Sequence, residues 1–215
     1  MPQSDEEKQT IYYSAKVRVM IWQELFKNFA LYSVIVSTGF GYWLYIRTKH
    51  TNSARISYSA VTNRSNYYIM GAGITISAAL LACNVYGYML QKTAMPTSLY
   101  WLFGASFFLI ILLAWVPATK GFVHEIHHWS AWIMSYLLLA LTGLLYVDSY
   151  ENFEKGSNMV NGKLHVIGLL FVLALAVVGT YTNKPGISSK KSLHSQQLYF
   201  FVFQLAILAR IYLGS

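Results

Sequence analysis

The stretch Ser65–Gln91 reads SNYYIMGAGITISAALLACNVYGYMLQ and contains no charged residue. A helix needs about 17–25 predominantly apolar residues to cross roughly 30 Å of hydrocarbon. This stretch is therefore long enough to cross a bilayer with some tilt. It predicts a transmembrane helix, and the rest of the chain can be placed around it.

The composition of the whole chain fits a membrane environment. Of its 215 residues, 55% are hydrophobic and 11% are charged, whereas a soluble domain has about 25% charged residues. Further apolar stretches predict an all-α, polytopic integral membrane protein with about six transmembrane helices. These spans form a single domain over 29–215, at about 29–46, 65–91, 98–116, 128–147, 164–181 and 198–213.

The first 28 residues are predicted to form a polar tail and an amphipathic helix at the membrane interface. Apolar residues such as Val17 and Trp22 alternate there with charged ones such as Lys16 and Glu24, a pattern typical of interfacial helices. The residues Met1–Lys8 are acidic and polar, so we expect no cleavable signal peptide.

An even number of spans would put both termini on one side of the membrane. We call this the terminus side, and the opposite one the histidine side. Basic residues divide equally between the two, so the positive-inside rule does not orient the chain. The basic residues before the first span favour cytoplasmic termini. The net charge of +8 is spread over both sides and favours membrane lipids as partners rather than nucleic acid.

Histidines are distributed unequally in this topology. Five of the six fall on the histidine side, and His165 begins its span from the other. Side chains three or four apart share one face of a helix, so His124 and His128, together with His194, could hold a divalent metal ion. Histidine also suits the interface, where its ring can be half wet. The predicted ligand or partner face comprises His124, His127, His128, Trp129 and His194, with His50 on the same side.

A haem b site is a second possibility for these residues. The segment His128–Ala131 resembles a helix of small di-haem cytochromes b, as does Leu164–Gly168. Bis-histidine ligation needs two histidines at similar depth. His128 and His165 start from opposite sides, so only His128 with His194 could serve. The string His124–His128 also resembles one histidine box of membrane hydroxylases, which need several such boxes. We expect no cofactor; haem b or a divalent metal ion is the alternative.

Uncharged polar groups and one cation fall within the predicted spans. The main ones are Asn84, Gln204 and Arg210, beside serines and threonines such as Ser33, Ser37 and Ser77. Interhelical hydrogen bonding or a solute pathway would explain Asn84, while Arg210 is near enough to the chain end to reach the headgroups. The predicted spans contain no Asp or Glu, which argues against a proton-coupled pump. Small residues, including Gly39, Gly41, Gly71 and Gly73, are expected to let helices approach closely.

Several segments in order resemble the DRAM, FRAG and Sfk group of six-span membrane proteins and the related bacterial family of unknown function. They are Ile56–Ser59, Ser65–Tyr68, Leu113–Pro117 and Val123–His124 followed by Ala131, within about 56–150. The proline that usually precedes the first of these segments is replaced by Arg55. The resemblance implies cytoplasmic termini and no particular reaction.

The sequence thus favours a non-catalytic multipass protein that binds or organises lipid or a membrane partner. Three alternatives stay open. They are a metal- or haem-dependent membrane redox protein using His124, His128 and His194, a small-solute transporter or channel, and an accessory subunit of a larger membrane complex. Homo-oligomers are also possible.

Overall fold

A computed structural model describes residues 5–48, 64–90, 97–116, 122–147, 159–182 and 189–213. These ranges are helical almost throughout, and they contain no β-strand. The six helices are α1 (Asp5–Thr48), α2 (Arg64–Asn84), α3 (Thr97–Trp115), α4 (Phe122–Leu144), α5 (Met159–Thr182) and α6 (Ser189–Leu213). A π-helical turn, Val85–Met89, continues α2. The predicted all-α class is confirmed.

Four of the described helices are long and apolar enough to cross a membrane. The candidate spans are Ser65–Met89, Ser98–Trp115, Gly162–Tyr181 and Gln196–Leu213. They match the second, third, fifth and sixth predicted spans, and they support a membrane protein. The crossings predicted within α1 and α4 are not among the four and stay predictions.

The outer faces of these candidate spans are strongly apolar. In α3, Trp101 is 79% and Phe108 65% exposed, and in α5 Leu170 and Leu173 are each 60% exposed. Soluble proteins rarely expose contiguous apolar surface of this kind. Lipid is the environment that these faces fit.

Consecutive helices run antiparallel. Tyr146, just after α4, lies on Gly168 near the start of α5, and Tyr199 near the start of α6 lies on Gly179 towards the end of α5. α1 packs against both α2 and α6. The ends of α2, α4 and α6 therefore lie with the starts of α3 and α5 at one end of the bundle, which is the terminus side of the predicted topology.

Aromatic rings lying on glycines set the spacing of several helix pairs. The Phe26 ring covers Gly87, where an added Cβ would come within 2.7 Å of it, and the Phe40 ring covers Gly73 more closely still. A Cβ added at Gly71 would lie 3.2 Å from the Trp115 ring. Gly39 differs, because a Cβ there would meet nothing within 4 Å. Close approach therefore explains Gly71 and Gly73 but not Gly39.

α1 is longer than the bundle it belongs to. It runs without interruption for 44 residues, so the boundary predicted at residue 28 is not a helix break. Residues 5–38 contain no glycine or proline, which are the usual causes of a sharp kink. At about 1.5 Å per residue the helix is about 66 Å long, roughly twice the hydrocarbon thickness.

The first part of α1 extends past the end of α2. Phe26 meets Gly87, and only three described residues of α2 and its π-turn follow Gly87. We call residues 5–25 the overhang. Several of its large apolar side chains are exposed, among them Tyr12 (66%), Val19 (55%) and Trp22 (55%). The predicted interfacial position of this segment stays a prediction.

Other helices also begin before the spans predicted in them, α4 and α6 by the largest margins. α4 begins at Phe122, six residues before the predicted start at 128, and α6 begins at Ser189 rather than near Leu198. Helix thus continues beyond the apolar stretch in both cases, because polar residues such as Lys190 and Glu125 are themselves compatible with a helix. The sole cysteine, Cys83, is exposed on α2.

Candidate functional site

On the histidine side, His127 links the beginning of α4 to the end of α3. Its Nδ1 lies 2.8 Å from the carbonyl oxygen of Val116, so the tautomer with a proton on Nδ1 donates to that carbonyl. Carbonyls at the end of a helix lack partners within the helix. His127 therefore caps α3, while the neighbouring Trp129 is 63% exposed.

The metal hypothesis concerns side chains that lie outside the described ones. The backbones of His124 and His128 belong to α4 and that of His194 to α6, but their side chains are not among those described, and His50 lies outside the described ranges. Within the described residues no group of three or more His, Cys, Asp or Glu side chains could hold a metal ion. The metal and haem hypotheses therefore stay predictions.

The helix arrangement separates His165 from the α4 histidines. His127 contacts the end of α3, whereas Tyr146, about 28 Å further along α4 at 1.5 Å per residue, meets Gly168 near His165. This geometry agrees with the rejection of a haem between His128 and His165, which would need similar depths.

Within the bundle, Ser33 and Ser77 join α1 to α2 by reciprocal hydrogen bonds. The Ser33 hydroxyl donates to the Ser77 carbonyl at 2.8 Å, and the Ser77 hydroxyl donates to the Ser33 carbonyl at 3.0 Å. The two hydroxyl oxygens are 2.9 Å apart. Both residues are buried, so the pair bonds each helix to the backbone of the other inside the bundle.

Gln204 extends this pair into α6. Its Nε2 donates to Ser33 Oγ at 3.2 Å and to Ser77 Oγ at 3.3 Å. Its Oε1 accepts from the hydroxyl of Ser37 at 2.8 Å. The amide is thus bonded at both ends, and it connects three helices. The sequence identified Gln204 as an intramembrane polar residue, and the structure assigns it to helix packing.

Asn84 is the residue whose hydrogen bonding is incomplete. It is fully buried, and its Nδ2 donates to the carbonyls of Phe26 at 2.8 Å and Lys27 at 3.1 Å. Its Oδ1 is buried without a hydrogen-bond partner in the described part of the chain. An unsatisfied buried acceptor costs about 1–3 kcal/mol. The residue also precedes the π-turn, a feature frequently found at functional sites.

The sequence suggested that Arg210 could reach the headgroups. In the structure its side chain lies inside the bundle instead. It is 9% exposed, and its Nε donates to the carbonyl of Leu145 at 3.0 Å. That carbonyl belongs to the end of α4, where helical partners run out. The neighbouring Tyr146 hydroxyl donates to the Ala206 carbonyl at 2.7 Å, so two bonds hold α4 to α6 here.

Where α1 begins to pack in the bundle, its side chains contact the end of α6. The Tyr212 hydroxyl donates to Asn28 Oδ1 at 3.0 Å, and Lys27 Nζ lies 5.1 Å from the centre of the Tyr212 ring. With Asn84 and Arg210, which are bonded to backbone carbonyls, these contacts make this end of the bundle rich in polar groups.

Tyrosine hydroxyls form a set of interhelical contacts that sequence reasoning missed. Tyr199 donates to the Ser135 carbonyl at 2.5 Å and Tyr86 to the Tyr100 carbonyl at 2.6 Å, while Tyr67 donates to the carbonyl of Trp115. The signal in the sequence for these contacts was the presence of tyrosines within apolar stretches, because a buried tyrosine hydroxyl needs a hydrogen-bond partner.

Comparisons with protein-family models, with curated proteins and with solved structures give no match. Any function must therefore be inferred from the geometry of this chain.

Proposed function

We propose that this chain is a small six-span membrane protein that binds or organises lipid or a membrane partner and carries out no reaction of its own. In this proposal α1 and α4 cross the membrane with the four candidate spans, and both termini are cytoplasmic. The resemblance to the DRAM, FRAG and Sfk group implies the same orientation.

One observation supports binding over transport. Polar side chains that could have lined a solute path are bonded to other helices: Gln204 to Ser33, Ser37 and Ser77, Arg210 to Leu145, and Asn84, through its Nδ2 alone, to the carbonyls of Phe26 and Lys27. Groups committed to packing are poorly placed to exchange partners with a passing solute. The feature that remains available for binding is the broad apolar outer surface. Its exposed rings, such as Trp101 and Trp129, suit the lipid interface.

The proposal can be tested on the purified protein in detergent or nanodiscs. Native mass spectrometry would detect retained lipids, while elemental analysis and an absorption spectrum would detect metal or haem. We expect one or more lipids that survive delipidating washes, no stoichiometric metal and no Soret band.

A stoichiometric metal or a Soret band would overturn the non-catalytic proposal in favour of the metal or haem alternatives. If metal were found, comparing His124→Ala and His128→Ala with Trp129→Phe would identify the ligands. Complete loss of lipid on mild washing, with the fold retained, would overturn the lipid part of the proposal.

A further inference from the structure

Three aromatic rings meet where α2 begins and α3 ends. The ring centres of Tyr67, Tyr68 and Trp115 form a triangle with sides of 5.6, 6.1 and 6.4 Å. The ring planes are inclined to one another by 65°, 89° and 52°, so no two of the rings are stacked. One cation over such a triangle can lie within about 6 Å of all three ring centres, which is the range of cation–π attraction. We call these three residues the aromatic triad.

Contacts inside the protein hold two of these rings in place. Trp115 Nε1 donates to Thr75 Oγ1 at 2.9 Å, and the Tyr67 hydroxyl donates to the Trp115 carbonyl. One face of the Trp115 ring lies on Gly71, where an added Cβ would be 3.2 Å from three of the ring atoms. The triad is therefore preorganised, which lowers the cost of ordering its side chains when a ligand binds.

These hydrogen bonds distinguish the triad from other interfacial aromatic residues. Interfacial Tyr and Trp usually direct the polar end of the side chain towards the headgroups and water. Here the Tyr67 O–H and the Trp115 N–H both donate to acceptors within the protein. Trp115 is nevertheless 39% exposed, beside Tyr68 at 48%. The group that Trp115 offers to its surroundings is therefore the ring itself.

The triad lies where two candidate spans begin and end. Tyr67 and Tyr68 are the third and fourth residues of the span Ser65–Met89, and Trp115 is the last residue of the span Ser98–Trp115. In a bilayer the ends of a span lie at the depth of the lipid headgroups. The quaternary ammonium group found at that depth is the headgroup cation of a choline lipid, and clustered aromatic rings bind quaternary ammonium groups through their faces.

The chemistry of the triad favours a trimethylammonium group over a primary ammonium group. A primary ammonium has three N–H donors that need acceptors, and it is strongly hydrated. A trimethylammonium group has no N–H and needs only the ring faces. Neither α2 nor α3 contains Asp or Glu, so these helices supply no carboxylate to a primary ammonium. The triad should therefore distinguish choline from ethanolamine headgroups.

An exposed arginine on α1 lies at the same level as the triad. Leu44 of α1 packs with Met70 of α2. Because the two helices are antiparallel, Arg47, three residues after Leu44, is level with Tyr67, three residues before Met70. The Arg47 guanidinium lies 5.6 Å from the centre of the Trp43 ring, and Trp43 and Tyr67 pack against the same pair. Guanidinium groups bind phosphate, which choline lipids also carry.

We infer that the aromatic triad binds the choline headgroup of a membrane lipid, with the trimethylammonium group against the three rings and the phosphate at Arg47. This inference rests on the proposed function and names the class of lipid in it. Phe108 and Ile111 precede Trp115 by seven and four residues, on the same face of α3, and they are 65% and 36% exposed. The acyl chains of the lipid would lie along this face.

A pair of lipids that differ only in the headgroup cation tests the inference. The full-length protein would be solubilised from vesicles with equal amounts of phosphatidylcholine and phosphatidylethanolamine that have identical acyl chains, and native mass spectrometry would count the retained lipids. We expect at least about a threefold excess of phosphatidylcholine. Tyr68→Phe keeps the ring and should keep the excess, whereas Tyr68→Leu should abolish it. Tyr42→Leu is the control, because Tyr42 is an exposed tyrosine (66%) within about one helical turn of the same depth.

Fluorinated tryptophan at position 115 separates a cation–π contact from a packing role. Ring fluorines withdraw charge from the ring face and change the shape of the ring little, so the preference should fall step by step as fluorines are added. The same analogues at Trp101, which is 79% exposed at the other end of α3, should leave the preference unchanged. Thermal unfolding would verify that every variant is folded.

The phosphate contact predicts a different result. Both lipids carry a phosphate, so Arg47→Gln should lower the retention of both several-fold and leave their ratio unchanged. Unchanged retention would show that Arg47 does not bind the headgroup. Free phosphocholine at the concentration of the lipid should not displace it, because it lacks acyl chains; complete displacement would show that the ligand is a soluble quaternary amine and would overturn the assignment to a lipid.

Equal retention of the two lipids by the unaltered chain, a preference that survives Tyr68→Leu, or a preference that does not depend on fluorine content would overturn the inference. The same measurement separates the two proposals. If lipids are retained without a preference for choline, only the choline site is wrong. If the unaltered chain retains no lipid at all, the proposed lipid binding has failed.

Discussion

Ser33 and Ser77 each donate a hydroxyl proton to the other's backbone carbonyl, at 2.8 and 3.0 Å. These reciprocal bonds connect α1 and α2 at buried positions, where water cannot replace them. In a bilayer the hydrophobic effect gives little drive for helices to associate, so interhelical hydrogen bonds and close packing contribute more of the specificity.

A double-mutant cycle on this pair should show coupling. Ser33→Ala and Ser77→Ala are each expected to lower the free energy of unfolding, with an interaction energy of about 0.5–1.5 kcal/mol between them. Unfolding in mixed micelles with a denaturing detergent would measure it. Ser106→Ala is the control, since this buried hydroxyl donates to Leu102 within its own helix. Additive effects of the two serines would contradict the pairing.

Gly73 should tolerate no side chain. Gly73→Ala places a methyl group against the Phe40 ring, and overpacking of this kind costs about 1–3 kcal/mol. Thermal unfolding followed by size-exclusion chromatography would report the loss. Gly39→Ala, which meets open space, should be neutral or slightly stabilising because alanine favours the helix. Combining Gly73→Ala with Phe40→Leu should recover part of the loss; no recovery would mean that the ring is not the obstacle.

Asn84→Leu should change stability little. The substitution removes two hydrogen bonds to α1, but it also removes the Oδ1 acceptor, which has no partner among the described residues. Because a typical bond contributes about 1 kcal/mol and an unsatisfied buried group costs about 1–3 kcal/mol, the two effects nearly cancel. Denaturation in micelles would measure the difference, with Asn84→Ala showing the added cost of a cavity. A loss above about 3 kcal/mol would indicate that Oδ1 has a partner in the folded protein.

His127 should act in helix packing and not in metal binding. His127→Ala removes the bond to the Val116 carbonyl, and a loss of about 1 kcal/mol is expected with no change in metal content. His127→Asn could retain a donor and should lose less. Metal retained by the unaltered chain and lost only on changing His127 would contradict this role.

Helices that depend on local composition could be predicted from the sequence. Ser65–Gln91 predicted a span because an uncharged apolar run has few other stable states, and the candidate span Ser65–Met89 agrees. α1 runs on through residue 28, where the composition changes, because helix propensity does not change there. The π-turn after Asn84 had no signal in the sequence; its Gly87 lies against Phe26 of another helix.

Pairing of side chains was beyond sequence reasoning. Gln204 and Ser77 could be recognised as polar groups in apolar surroundings, but their meeting depends on the rotation of three helices about their axes. Arg210 was predicted to lie near enough to the chain end to reach the headgroups. Its acceptor in the structure is the Leu145 carbonyl. Only the tertiary structure brings the end of α4, and with it this carbonyl, beside Arg210.

Everything proposed for this chain depends on six crossings with both termini on one side. Cysteine scanning tests this directly, in a Cys83→Ser background with single cysteines placed at Gln9, Asn52, Ala118, Asn152 or Gly186 and a membrane-impermeant maleimide applied to sealed vesicles. We expect Gln9 and Asn152 to be labelled from one side, and Asn52, Ala118 and Gly186 from the other. Labelling of Gln9 and Asn52 from the same side would show that α1 does not cross, and it would contradict the six-span account.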